Sequence, residues 1–436
     1  MIELGPNGFA ALGELHEELP ARLKHRGVLN LEARYRFMPP GRESRTITRD
    51  ASQSRTYTIR WAETQDALAE LVPPEVIHCD HAATGYDEIW DEQDEQPAGG
   101  GGGGGPGPAG RPASRAVVHF RSQPSVTARL VVGADGVFSA VRAAMFPGDP
   151  GPRYLGHMNW NCVFPNPGGN TVVDAHKPGQ LLFAADGRIG DPAAEPTLML
   201  VVSDAGGDHT FWQVRAQSEA PDFTAPPDRP PGEAGGDGHA ADSRAAVQGR
   251  GGASGGPGGR RGRGGMGVPG SKARVIQRIK SAGWDWAVPI LEAVPESCLF
   301  ERALYDRLPL ERWSSRGGRV VLLGDSAHAM HPGPGQGARS AFEDAHQLVL
   351  AVEALWPDVP SALERYQRAR IVRATRVQLL SAEYSGLEAV REAARPAGLS
   401  QPQLMERRME FRDWFDQYPA NMDGDPESTW WKPPSS

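Results

Sequence analysis

The segment Gly324-Asp325-Ser326-Ala327-His328-Ala329-Met330-His331-Pro332-Gly333-Pro334-Gly335-Gln336-Gly337 decides how this chain is read. Before it, Arg319 to Gly324 reads as a strand whose continuous apolar run, Val320 to Leu323, ends in glycine, the pattern of a strand buried on both faces of a parallel sheet. After it, Phe342, Ala345, Leu348, Val349 and Val352 recur at helical spacing from Ala338 onward. A strand therefore delivers the Asp325 carboxylate at its carboxyl end. A glycine-rich loop then opens a helix whose first N–H groups lack partners and whose dipole favours negative charge. This is a ligand site: the aspartate suits a ribose-type hydroxyl, and Gly335 and Gly337 permit close backbone approach. The plainer alternative is a strand, a turn and a capped helix with no ligand, which such a density of proline and glycine disfavours.

A second constellation, Gly133-Ala134-Asp135-Gly136-Val137-Phe138-Ser139-Ala140-Val141-Arg142, follows another apolar stretch, Val126 to Gly133. It turns through Asp135-Gly136 and enters a helix that Ser139 can cap, with Arg142 one turn in. Alone it reads equally well as an ordinary turn with a satisfied aspartate. The two together, with Glu343-Asp344-Ala345 at the end and Tyr305-Asp306-Arg307 to Trp313 leading in, resemble the class A FAD-dependent aromatic monooxygenases, the family of salicylate hydroxylase, p-hydroxybenzoate hydroxylase and zeaxanthin epoxidase.

That resemblance implies an α/β fold. Its FAD-binding Rossmann-like domain would span residues 1–150 and 301–395, with an antiparallel-sheet substrate domain over 151–300, C-terminal helices, and an aromatic tail over 396–436. It implies FAD as cofactor and NADPH or NADH as electron donor, acting on an aromatic or olefinic (isoprenoid) small molecule and dioxygen. Asp325 would bind the flavin ribitol, with Gly324 beside it. Pro332, Gly335, Gln336 and Gly337 would lie along the isoalloxazine ring, and Asp135, Gly136 and Arg142 would serve the cofactor and NAD(P)H region. Arg60, ahead of a helix containing Ala67 and Leu68, matches the family's arginine near the flavin. No side-chain base is assigned.

One departure stands out. The family opens with a strand, a Gly-x-Gly-x-x-Gly loop and a helix that hold the FAD pyrophosphate. This chain opens with Leu4-Gly5-Pro6-Asn7-Gly8-Phe9, which resembles the segment after that unit. The fold is therefore expected to be N-terminally incomplete by about 30–40 residues, one βαβ unit. Either the start of the gene was misassigned or the protein lacks half of its cofactor site. Gly262 to Gly267 matches the same pattern, but follows no apolar strand and opens no helix.

Composition bounds the rest. The chain has 436 residues, with 46 basic against 54 acidic side chains and a net charge of −8, so it is no polybasic partner for nucleic acid or anionic membrane as a whole. No apolar run approaches the roughly 18 residues of a membrane span, so the chain reads as soluble. Three dispersed cysteines, Cys79, Cys162 and Cys298, fit neither a disulfide framework nor a zinc site. Glycine and proline, 53 and 39 residues, cluster at 97–112 and 217–271, read as disordered insertions that cannot bury a core. The region Thr46 to Trp61 alternates as hairpin strands would, the segments between Tyr154 and Trp212 read as an antiparallel sheet, and a further helix is expected from about Pro360 to Ala394.

Weaker signals remain. His78-Cys79-Asp80-His81 is dense in ligand types but local, and is read as structural. His328 and His331 are either loop-fixing donors or proton donors. Arg250, Arg260, Arg261 and Arg263 among glycines resemble a nucleic-acid segment without interleaved aromatics, and read better as a solvated insertion. Two other functions therefore stand beside the monooxygenase: a non-catalytic remnant unable to retain FAD, and RNA binding through the Arg/Gly insertion. The tail aromatics Trp414, Phe415, Tyr418, Trp430 and Trp431 pack on the core or on a partner. Substrate, oligomeric state and compartment are not set by the sequence.

Overall fold

The computed structural model describes residues 1–39, 41, 43–90, 112–166, 179–187, 196–223, 265–394, 403, 414–416 and 418. In chain order its elements begin with β1 (Ile2–Leu4), α1 (Pro6–Leu15), α2 (Leu19–Arg26), β2 (Val28–Leu29), β3 (Glu32–Phe37), β4 (Arg45–Asp50), β5 (Tyr57–Ile59) and α3 (Trp61–Ala69). There follow β6 (Ala83–Ile89), β7 (Arg115–Phe120), β8 (Val126–Ala128), β9 (Val131–Gly133), α4 (Ala140–Met145), β10 (Arg153–Pro165), β11 (Gln180–Ala185), β12 (Leu198–Gly206) and β13 (His209–Gln217). The last are β14 (Gly265–Met266), α5 (Ser271–Ser281), α6 (Val288–Glu292), β15 (Phe300–Asp306), β16 (Val320–Leu322), α7 (Asp325–His328), α8 (Gly337–Leu355), α9 (Val359–Ala382) and α10 (Glu388–Ala394).

Eight strands form one sheet in the order β14-β15-β10-β13-β12-β11-β3-β4, antiparallel throughout except for the parallel pair β11 and β3. On β10 the residues Met158, Trp160 and Cys162 alternate with His157, Asn159 and Asn161, so the two sets face opposite sides. The first set joins Leu200, Val202, Trp212 and Val214 in a core closed by Val275 and Ile279 of α5 and Ile290 and Leu291 of α6. The second set faces the rest of the molecule, where Leu155 and Leu304 pack on Ala382 and Val390 of α9 and α10.

The parallel pair β16 and β9 is the other anchor, with Val320 opposite Val131 and Leu322 opposite Gly133. Val320, Val321 and Leu322 are fully buried against Val141, Trp313, Leu348 and Tyr366. A third cluster joins β1, β5 and the helices α1 and α2 through Leu4, Phe9, Leu12, Leu23 and Ile59. Helix α1 lies against α8 so closely that a Cβ on Gly8 would meet Arg339 Cγ at 3.2 Å.

Several sequence expectations change. Val126 to Gly133 is two strands in two sheets, because the chain leaves β8 at Arg129 and re-pairs with β16 from Val131. The Thr46–Trp61 strands are not partners of each other: β4 pairs with β3, while β5 bridges β1 and β2. Through β3 and β4, residues 32–50 belong to the large sheet. The helix expected to run to Ala394 breaks after Ala382, where Tyr384, Ser385 and Gly386 turn back and Gly386 N donates to Leu155 O at 2.8 Å.

Both glycine-rich insertions lie largely outside the described residues. The two ends of the 217–271 range, however, are ordered: Gln217 N donates to Thr197 O at 2.7 Å, and Gly265–Met266 pairs with β15, so ladder hydrogen bonds reach into that range from both ends. Among the described residues no helix is long and apolar enough to cross a membrane.

Candidate active site

Gly324 follows β16 at φ 63° and ψ −140°, a conformation that side chains rarely tolerate, and starts the short α7 at Asp325. The Asp325 carboxyl is open to solvent but deep in the molecule: desolvation raises its pKa above the ordinary carboxylate range, with His328 and Arg302 opposing. A Cβ on Gly337 would lie 3.9 Å from Asp325 Oδ1, so the carboxylate sits beside the N-terminus of α8. That 19-residue helix has no side-chain cap, and its ladder begins with Ser340 N donating to Gln336 O at 2.8 Å. Its first N–H groups and dipole therefore face the cleft.

The loop between α7 and α8 carries exposed Pro332 and Gly333 and then Gly335 at φ 67°. A side chain on Gly335 would point toward the Glu3 carboxylate, 3.6 Å from its Cβ. Glu3 repeats the situation of Asp325: it is exposed, yet burial raises its pKa, opposed by Arg339. Arg302 on β15 is the third such group, exposed and with its pKa lowered by desolvation while Asp325 acts to raise it. Glu3 and Asp325 lie beside Gly335 and Gly337, and Arg302 interacts with Asp325, so these three exposed but desolvated side chains line a cleft between β1, the 332–337 loop and β15.

Behind the loop lies a buried ionic network. Arg370 donates to Glu343 Oε2 at 2.6 Å and to Asp344 Oδ1 at 2.7 Å, and Arg373 donates to both oxygens of Glu343 at 2.7 and 2.9 Å. Asp344 Oδ2 accepts Gly324 N at 3.0 Å and meets His328 Nε2 at 2.6 Å. Despite desolvation, His328 and Arg370 hold the Asp344 carboxyl down to about 2. Asn7 bridges Gln336 and Glu343 at 2.9 Å each, which ties α1 to the start of α8. His328 is thus a fixing group of the loop. The tail joins the same network: Arg373 donates to Phe415 O at 2.7 Å, and Tyr418 hydroxyl meets His346 Nδ1 at 2.7 Å. Trp414, Phe415 and Tyr418 therefore pack on the chain's own core, while Trp430 and Trp431 lie outside the described residues.

The other expected residues sit elsewhere. Asp135 caps α4, accepting Ser139 Oγ at 2.5 Å and the N–H groups of Ala140 and Val141 at 2.7 and 3.2 Å. Gly136 takes φ 79° in that turn. Arg142 is wholly buried and donates to Ala327 O and Leu308 O at 2.9 Å and to Asp149 at 2.8 Å, so it clamps α4 to α7 from inside. Arg60 pairs with Glu63 at 2.6 Å and lies near Gly207 in the β12–β13 turn. The structure does not bring Asp135, Arg142 or Arg60 into hydrogen-bond reach of Asp325. His78, Cys79 and Asp80 are exposed and His81 is half-buried, and no group of metal-ligating side chains is found among the described residues.

Across the cleft stands the polar face of the large sheet. Arg302, Asn159 and Arg215 are register partners on β15, β10 and β13. Two residues back on β10, His157 Nδ1 lies 3.4 Å from His331 Nε2 in the glycine-rich loop. Both imidazoles are buried and their pKa values fall well below the usual 6.5, first through desolvation and then through the Arg215 charge. This face was missed in the sequence, although a signal was there: polar residues at 157, 159 and 161 alternate with apolar ones in an otherwise buried strand.

Comparison with known proteins follows the same lines. Residues 310–380 match the protein family described as FAD binding domain. Over part of its length the chain is similar to a curated monooxygenase and to a curated epoxidase. It is 31% identical over 251 residues to the aurachin C monooxygenase/isomerase of Stigmatella aurantiaca, a match covering 56% of this chain and 48% of that protein. It is 42% identical over 101 residues to the chloroplastic zeaxanthin epoxidase of Oryza sativa subsp. japonica, covering 21% of this chain and 15% of the relative. The chain thus spans at most about half the length of these curated relatives. The fold resembles that of Klebsiella pneumoniae HpxO, whose crystal structure complexed with FAD and uric acid superposes with a TM-score of 0.56 at 17% identity, over 97% of this chain and 85% of that one.

The residues present fit FAD. Asp325 offers an acceptor to a polyol, and the uncapped α8 offers partners for negative charge. Gln336 Nε2 is buried without a hydrogen-bond partner among the described residues, and Gly335 and Gly337 place no side chain between the backbone and the Glu3 and Asp325 carboxylates.

Proposed function

We propose that the chain is an FAD-dependent monooxygenase that draws electrons from NADPH or NADH and inserts one atom of dioxygen into an aromatic or isoprenoid small molecule. One observation carries the reading: the Asp325 carboxylate lies beside the uncapped N-terminus of α8, in a cleft faced by the polar side of the large sheet. Relatives described as a monooxygenase and an epoxidase support the reaction class.

FAD, when bound, supplies the chemistry of dioxygen activation, and the chain supplies placement, charge and exclusion of water. Asp325 would accept hydrogen bonds from the ribitol hydroxyls. Gly324, Pro332, Gly335, Gln336 and Gly337 would line the ring, whose negative charge the α8 dipole would stabilise. Asp135, Gly136 and Arg142 would serve from a distance, by fixing α4 against α7. His157 on the sheet and His331 in the glycine-rich loop are held neutral and add no positive charge; Gly333 N donates to His331 Nδ1 at 2.9 Å, which leaves the His331 proton on Nε2, facing His157 Nδ1.

The test is the visible absorption spectrum of the chain after incubation with FAD and desalting, followed by NADPH consumption and incorporation of labelled oxygen with aromatic and isoprenoid substrates. Retained flavin bands and labelled product are expected. A chain that keeps FAD but never consumes NADPH or NADH with any such substrate overturns the activity, and one that keeps no FAD favours the remnant.

A further inference from the structure

Among the described residues of the large sheet, Asn159 is a buried amide left open at both of its polar atoms, whereas Ser203 Oγ on β12 and Trp212 Nε1 on β13 each leave a single polar atom without a partner. It is 1% exposed, and neither Oδ1 nor Nδ2 has a hydrogen-bond partner among the described residues. A buried amide left open at both ends is costly, and sheets normally satisfy or replace such a group. Its register partners are Arg215 and Arg302, the second of which is exposed to the cleft that holds Asp325.

We propose that Asn159 reads the edge of a cyclic amide in the substrate, a –C(=O)–NH– group within a ring. This rests on the monooxygenase reading above and names the substrate class for the same cleft. Asn159 offers one donor and one acceptor side by side, and its complement presents an acceptor and a donor on one edge. An open-chain amide is trans and puts its N–H and C=O on opposite sides, whereas a lactam fixes them on the same side. A carboxylate offers two acceptors and would leave Oδ1 unpaired. Arg215 and Arg302 on either side favour the carbonyl oxygen, where the lactam carries its partial negative charge.

The experiment measures equilibrium binding of 2-quinolone and of 1-methyl-2-quinolone to the FAD-incubated full chain by calorimetry, in the parent and in Asn159→Leu and Asn159→Ala. The parent is expected to bind 2-quinolone at least about tenfold more tightly than its N-methyl analogue. Both variants should bind the two probes alike, with melting temperatures equal to or above the parent's, because each removes an unsatisfied buried amide. Equal binding by the parent, or a preference that survives in both variants, overturns the proposal. Lactam preference with no NADPH consumption would instead sink the monooxygenase reading and leave the Asn159 assignment standing.

Discussion

Replacing Arg370 with methionine removes the cation that sits fully buried between two carboxylates, Glu343 and Asp344, at 2.6 and 2.7 Å. Breaking a buried ion pair from one side costs about 3–5 kcal/mol, because the partner charge stays buried without compensation. Here the carboxylates keep part of their support: Arg373 still reaches Glu343 at 2.7 and 2.9 Å, and His328 still reaches Asp344 at 2.6 Å. The expected loss is therefore at the low end, about 3 kcal/mol. Urea unfolding followed by tryptophan fluorescence measures it, with Trp313 a reporter 5.2 Å from His328.

Two further results should accompany that loss. Asp344 is held at about 2 and accepts Gly324 N, so Arg370→Met should raise the pH of acid unfolding and weaken FAD by disturbing the turn into Asp325. Adding Asp344→Asn should restore part of the stability, since a neutral amide needs no cation. A loss below about 1 kcal/mol would refute the reasoning, for that is the worth of a solvated surface pair.

Three more outcomes are expected. Asp325→Asn should weaken FAD by about 10-fold to 100-fold, the worth of a hydrogen bond to a charged group, read by flavin fluorescence titration; the FAD-free protein should be no less stable, because burial already raises that carboxyl's pKa. His157 and His331 are neutral when folded and titrate near 6.5 when unfolded, so below that pH the unfolded chain binds more protons and stability falls by about 1.4 kcal/mol per pH unit for each; His157→Gln should flatten this slope in urea midpoints between pH 6.5 and 5. Tyr418→Phe deletes the hydroxyl that meets His346 Nδ1 at 2.7 Å and Gln347 Nε2 at 3.1 Å, and should cost about 1 kcal/mol in the same assay.

The local grammar of the chain was legible before any tertiary structure. Val320–Leu322, the glycine turn at 324 and the helix from Gly337 follow from an apolar run, a residue free to take positive φ, and helical spacing. Ser139 was legible as a cap for the same reason, since its hydroxyl acts on the N–H of Arg142 three residues away. These are interactions between near neighbours, and near neighbours are what a sequence displays.

What required the tertiary structure was every choice between distant partners. That β5 pairs with β1 and β2 rather than with β4, and that residues 32–50 complete the large sheet, depends on which edges are free once the chain has collapsed. Asp135 and Asp325 both follow an apolar strand and precede a helix, yet one is consumed as a cap and the other opens onto a cleft. The difference lies in what stands across from them: the N–H groups of α4 for Asp135, and Arg302 from a strand of another sheet for Asp325. Asn159 has its meaning only there as well, because an amide is unsatisfied only relative to everything folded around it.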